Sequence, residues 1–197
     1  MNAMSLKPFE IPKQAYQNSE QDCDLAFGLY MRGWGQVEMS IGRLFERLSG
    51  TDVVTASIIV SAGIDQRTMR DICAALGQQR LDAKSYRQLQ KLLERVKSAA
   101  TTRNRLVHGV WFLELVIDDG TKVANKAEWV RLYMPTDMET MKRIHDKRPD
   151  QKLRSRHRFT LDRIAALGAE AHKLGREIMG WSDAAQLLPI RPPQPAF

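Results

Sequence analysis

The stretch RNRLVHGVW, residues 103–111, places an arginine, an asparagine and a histidine within six residues of one another. The guanidinium of Arg103 can hold a phosphate through paired hydrogen bonds, and the imidazole of His108 exchanges protons near neutral pH. Asn104 adds a polar side chain directly after the arginine. These residue types at this spacing are suited to acid–base chemistry on a phosphodiester.

A helix pattern leads into this stretch. From about Asp82 an apolar stripe recurs at helical spacing and reaches Leu106, and Gly109 fits the left-handed position just past a helix end. On an uninterrupted helix Asn104 and His108 would share a face, because residues four apart differ by only about 40° in direction. Termination at Gly109 would let His108 turn towards Arg103 as well.

A purely structural role for the same residues stays open at this point. Arg103 lies on the predicted buried stripe, where it would pair with a carboxylate such as Glu38. His108 would then bind the last carbonyl groups of its helix. The sequence contains no phosphate loop of the Walker type, no GxSxG and no HExxH motif that would compete as a catalytic centre.

The hexapeptide RNRLVH resembles the R-x(4–6)-H motif of the HEPN superfamily, small helical bundles in which a polar residue, often Asn, follows the arginine. The resemblance implies a metal-independent endoribonuclease without a cofactor, acting as a homodimer. Arg103 and Asn104 would bind the scissile phosphate, and His108 would transfer protons as the ribose 2′-OH attacks. It also implies a toxin–antitoxin or anti-phage role with an antitoxin or other protein partner. The alternative is a non-catalytic dimeric helical module that binds a protein or a nucleotide.

The rest of the chain predicts a mainly α fold, an up-and-down helical bundle. Apolar spacing and capping residues predict helices over about residues 22–48, 53–62, 66–77, 82–107 and 161–180. Within the first helix, Gly33 and Gly35 indicate either a local bend or a close packing contact. Two runs rich in β-branched and aromatic residues, at about 110–117 and 128–134, predict a β-hairpin inserted before the last helix.

The positive charge is concentrated in one segment. The net charge is +7, and residues 142–158, KRIHDKRPDQKLRSRHR, contain eight Lys/Arg against two Asp. This basic strip is either a solvent-exposed surface loop or a track for an RNA backbone. The second interpretation assigns RNA contacts to Lys142, Arg143, Lys147, Arg148, Lys152, Arg154, Arg156 and Arg158.

The composition and the two ends of the sequence predict the domain organisation and the location of the protein. We expect one domain over residues 20–182, between an extended arm (1–19) and an unpacked proline-rich tail (183–197). The N-terminus lacks a secretory pattern and the longest apolar run is too short to cross a bilayer, so we expect a cytoplasmic protein. Cys23 and Cys73 have no metal-ligand spacing and are predicted to be buried apolar residues.

Overall fold

The computed structural model describes residues 13–117, 124–133 and 156–189. Within these ranges the protein is mainly helical, with five α-helices and a three-stranded antiparallel sheet between the fourth helix and the last. The helices are α1 (Glu20–Ser49), α2 (Val53–Ser61), α3 (Gln66–Arg80), α4 (Ala83–Val107) and α5 (Leu161–Ala184). The predicted fold class, a helical bundle with a β-hairpin before its last helix, is confirmed.

The described residues form two compact units. The helical unit comprises residues 29–104 and 166–189, and the sheet unit comprises residues 13–28, 105–117, 124–133 and 156–165. The predicted single domain over 20–182 stays a prediction.

Three helices of the helical unit start with the same hydrogen-bond pattern. Asp52, Asp65 and Asp82 each accept hydrogen bonds from the backbone N–H groups two and three residues later, and from the hydroxyl of the third residue. The hydroxyl bond is the main reason why the pKa of each carboxyl is lowered, because it favours the charged form. The predicted helix starts at about residues 53, 66 and 82 are therefore confirmed.

The helical unit buries one continuous apolar core. Its largest fully buried side chains are Trp34, Ile41, Leu44, Leu48, Leu89 and Ile178. A Cβ added at Gly33 would clash with the backbone oxygen of Gly168, whereas a Cβ added at Gly35 would have no neighbouring atom within 4 Å. Of the two interpretations of these glycines, close packing therefore explains Gly33, where α1 crosses α5.

Two helices continue past the glycine at which they were predicted to end. α3 continues past Gly77 to Arg80. Gly77 is buried, and a Cβ there would collide with the side chain of Leu89. This glycine serves packing rather than helix termination. α5 continues past Gly180 to Ala184.

The start of the tail is packed, contrary to the prediction. Leu187 lies partly buried against the core of the helical unit. The N–H of Leu188 donates to the carbonyl of Arg80 at 2.7 Å, and the Nε of Arg80 donates to the carbonyl of Leu188 at 2.9 Å. The rest of the proline-rich tail, 190–197, lies outside the described residues.

The sheet unit contains strands β1 (Val110–Ile117), β2 (Ala124–Leu132) and β3 (Arg158–Phe159) in the spatial order β1-β2-β3. The second strand starts earlier than predicted, because residues 124–127 pair with the end of β1 in spite of their low β-propensity. The sequence did not predict β3.

The described part of the N-terminal arm is attached to the sheet. Tyr16 forms a parallel bridge with Ala127, and both the amide nitrogen and the amide oxygen of the Asn18 side chain bond to the backbone of Trp129. Residues 1–12 of the predicted extended arm lie outside the described residues. Cys23, in the sheet unit, and Cys73, in the helical unit, are both buried, as predicted. Burial raises the pKa of the Cys73 thiol to about 12.

Candidate functional site

Arg103 and Asn104 lie in the last turns of α4, within the helical unit. Arg103 is partly buried and Asn104 is exposed, and Nη1 of Arg103 donates a hydrogen bond to Oδ1 of Asn104 at 3.2 Å. The Nε of Arg103 is buried without an acceptor in the described part of the chain. None of the ion pairs among the described residues involves Arg103. Its positive charge is therefore not neutralised by a described carboxylate.

The carboxylate that the sequence offered to Arg103 has another partner. Oε1 of Glu38 accepts a hydrogen bond from the indole Nε1 of Trp34 at 2.7 Å. The group that responds to the charge of Arg103 is instead the phenol of Tyr30. Burial raises the pKa of Tyr30 to about 12, and Arg103 acts in the opposite direction. The predicted Arg103–Glu38 pair is therefore wrong.

His108 is the first residue after α4 and belongs to the sheet unit. Its side chain is exposed and has no hydrogen-bond partner among residues 13–117, 124–133 and 156–189. The carbonyl groups of Leu106 and Val107, which His108 was expected to bind in the structural interpretation, accept hydrogen bonds from Nε and Nη2 of Arg131. The helix end is thus satisfied without the imidazole.

Arg131, on β2, is a residue whose role the sequence did not indicate. Its guanidinium lies 4.6 Å from the ring centroid of Phe27 and 5.2 Å from that of Trp111. Burial between these groups lowers the pKa of Arg131. An arginine between two apolar strand residues has no distinguishing pattern, so only the fold shows that it caps α4.

Gly109 has a different role from the predicted left-handed cap. Among the described residues the positive φ angles are at Gly50 (74°) and Gly63 (84°), so the prediction for Gly109 is wrong. A Cβ at Gly109 would lie 3.0 Å from the carbonyl oxygen of Leu132 and 3.1 Å from Cγ of Arg131. The absence of a side chain lets β2 and the side chain of Arg131 approach the residue next to His108.

Most of the predicted RNA contacts of the basic strip lie outside the described residues. This applies to Lys142, Arg143, Lys147, Arg148, Lys152 and Arg154, whereas Arg156 is described and exposed.

Arg158 has partners within the sheet. Its Nη2 lies 2.8 Å from Oε2 of Glu114 and 3.4 Å from Oε2 of Glu128, two residues that face each other in the register of β1 and β2. The hydrogen bond with Glu114 raises the pKa of Arg158. Arg158 thus compensates a pair of like charges that would otherwise destabilise the sheet.

The helical unit also contains a pocket of about 340 Å³ that the sequence did not reveal. Tyr30 of α1, Ser98 and Thr102 of α4, and Glu170 and Lys173 of α5 contribute to its walls. Each of these residues follows the ordinary helical pattern of its own segment. The pocket therefore arises only when the three helices pack.

No protein-family model, curated protein or solved structure matches this chain. Among the described helices, none is both long and apolar enough to span a membrane. In the same part of the chain, His, Cys, Asp and Glu side chains form no group of three or more that could hold a metal ion.

Proposed function

We propose that the protein is a metal-independent endoribonuclease of the HEPN type, with Arg103, Asn104 and His108 as its site. One observation carries the proposal: neither structural role that the sequence offered to the motif is taken up. The carbonyls that His108 was expected to bind are held by Arg131, and the carboxylate offered to Arg103 binds Trp34. An arginine and a histidine without such roles are available for a substrate.

In the proposed reaction the ribose 2′-oxygen forms a bond to phosphorus and the bond between phosphorus and the 5′-oxygen breaks. The 2′-OH loses its proton and the departing 5′-oxygen gains one, so the products are a 2′,3′-cyclic phosphate and a 5′-OH end. The imidazole of His108 takes part in this proton transfer. Arg103 and Asn104 bind the phosphate, and the guanidinium stabilises the charge that develops on its oxygens.

The partners follow from the same proposal. We infer a homodimer with the motifs of both copies at its interface, and RNA as the substrate. Exposed Arg156 and the other basic residues of 142–154 supply positive charge that attracts an RNA backbone. A toxin–antitoxin or anti-phage setting, with a protein that restrains the nuclease, is consistent with this activity.

The test is RNA cleavage by the purified protein in EDTA, with chemical identification of the ends. We expect cyclic phosphate ends from the wild type, and a loss of at least about a hundredfold in rate for His108→Ala, the scale of one general acid–base group. Arg103→Ala should lose activity to a similar degree, because it removes a phosphate contact that is charged.

Two control variants remove an arginine and a histidine that are not part of the proposed site. Arg105→Ala removes a partly buried arginine of the same helix, and His172→Ala removes an exposed histidine of α5. Both should retain cleavage. Absence of cleavage by the wild type across varied RNAs would contradict the proposal, and loss of thermal stability in both motif variants would support the structural role instead.

A further inference from the structure

The pocket of the helical unit has the size and lining of a ligand site. Its volume of about 340 Å³ falls within the range of small-molecule sites, which is roughly 300–1,000 Å³. Part of its wall is apolar, formed by residues such as Ala99 and Leu174. Such a wall can accommodate the flat face of a nucleobase.

The pocket adjoins the arginine of the motif. Ala99, which lines it, lies four residues before Arg103 on α4, so the two residues share a face of the helix. Tyr30, which also lines it, responds to the positive charge of Arg103 through its pKa. A group in the pocket and a phosphate at Arg103 would therefore be neighbours on one surface of the helical unit.

The polar lining is suited to the rest of a nucleotide. Lys173 is exposed and has no ion-pair partner in the described residues, whereas Arg95 is held by Glu177. Lys173 can therefore bind a phosphate as a point charge. Glu170 accepts hydrogen bonds only, which matches the hydroxyl groups of ribose and the amino groups of bases.

From these features we propose that the pocket binds one ribonucleotide of the RNA, next to the phosphate held by Arg103. The inference rests on the proposed function, because it assigns a further part of the same substrate. Lys173 binds the flanking phosphate, Glu170 accepts from the base, and the face of the base lies on the apolar wall.

The test measures binding without chemistry. Fluorescein-labelled hexamers of uridine and of adenosine, made with 2′-fluoro sugars, lack the attacking hydroxyl, so fluorescence anisotropy reports their Kd alone. Ser98→Phe places a ring into the pocket, and Lys173→Ala removes its unpaired cation. We expect Ser98→Phe to raise Kd by about tenfold, because the ring occupies the space proposed for the base and a tenfold change corresponds to about 1.4 kcal/mol of lost contacts.

Matched controls stand on the same helices. Thr101→Phe adds the same ring to an exposed position of α4, and Arg176→Ala removes an exposed cation from α5, while neither position lines the pocket. Both controls should bind within about twofold of wild type. Lys173→Ala should also make the dependence of log Kd on log salt shallower by about 0.7, the value for one phosphate contact on a single strand.

The outcomes separate this inference from the ribonuclease proposal. Wild-type affinity in Ser98→Phe and Lys173→Ala would overturn the subsite, even where the wild type cleaves RNA. Weaker binding in these two variants, with both controls unchanged, would support the subsite even in the absence of cleavage, and only the ribonuclease would then fail. A wild type that binds neither hexamer would also overturn the subsite.

Discussion

Arg131 is the residue on which the end of α4 depends. It donates to the carbonyls of Leu106 and Val107. The carbonyl of Leu106 also accepts from the N–H of Gly109 at 3.2 Å, whereas Arg131 is the described donor to Val107. In Arg131→Met the alkyl chain is largely retained but both donors are lost. We expect the free energy of unfolding in urea to fall by roughly 1–3 kcal/mol, the cost of leaving one acceptor, the carbonyl of Val107, unpaired.

Arg156→Met is the control for this variant, because Arg156 is exposed in the same unit and its side chain makes no described hydrogen bond. It should unfold within about 0.5 kcal/mol of wild type. Equal stability of Arg131→Met and Arg156→Met would mean that water replaces the guanidinium at the helix end. Arg131 would then not be needed to hold the turn before His108.

For single residues, the sequence shows which side chains could take part in chemistry, but it does not show which groups they contact. Arg103, Asn104 and His108 stand out because their chemistry is rare at the end of an apolar stripe. Their surroundings come from other segments: Trp34 binds Glu38, and Arg131 binds the helix end. Such contacts join residues 4 to 25 positions apart, and no local pattern predicts the distant ones.

The crossing of α1 and α5 predicts opposite effects on stability for alanine at two glycines of α1. Gly33 and Gly35 are two residues apart on α1, yet a Cβ would collide with the backbone of Gly168 only at Gly33. Gly35→Ala should therefore raise the free energy of unfolding by up to about 1 kcal/mol, the difference in helix propensity. Gly33→Ala should lower it by roughly 1–3 kcal/mol, because the helices must move apart.

Urea unfolding of both variants, followed by circular dichroism, checks this pair. The two alanines have the same helix propensity and lie on the same helix, so only the packing environment differs. Stabilisation by both substitutions would contradict a close crossing at Gly33.

Helix starts were predictable because they are encoded locally. Asp52, Asp65 and Asp82 each combine a capping carboxylate with a hydroxyl three residues later. Glycines gave less reliable boundaries, since Gly77 lies inside α3 and Gly109 has no left-handed conformation. Both are required by neighbours that are distant in sequence, and the short β3 likewise forms only by pairing with β2.

The positive charge of the whole molecule is concentrated in one segment. Residues 142–158 account for most of the net charge of +7, so they should dominate the electrostatic part of RNA binding. We expect replacement of seven basic residues by Gln to weaken binding of single-stranded RNA and to make the slope of log Kd against log salt shallower by up to about 5. The seven are Lys142, Arg143, Lys147, Arg148, Lys152, Arg154 and Arg156.

Arg158 is left unchanged in that variant because its guanidinium holds Glu114 and Glu128. Arg158→Gln alone should lower stability, because it removes the guanidinium that bridges two facing carboxylates and leaves Lys126 as the described cation beside Glu128. It should change the salt slope by less than the value for one phosphate contact. Comparison of the two variants distinguishes basic residues that contact RNA from Arg158, which stabilises the sheet. If the variant with seven replacements bound RNA with the affinity and salt slope of the wild type, the basic strip would not contact RNA directly.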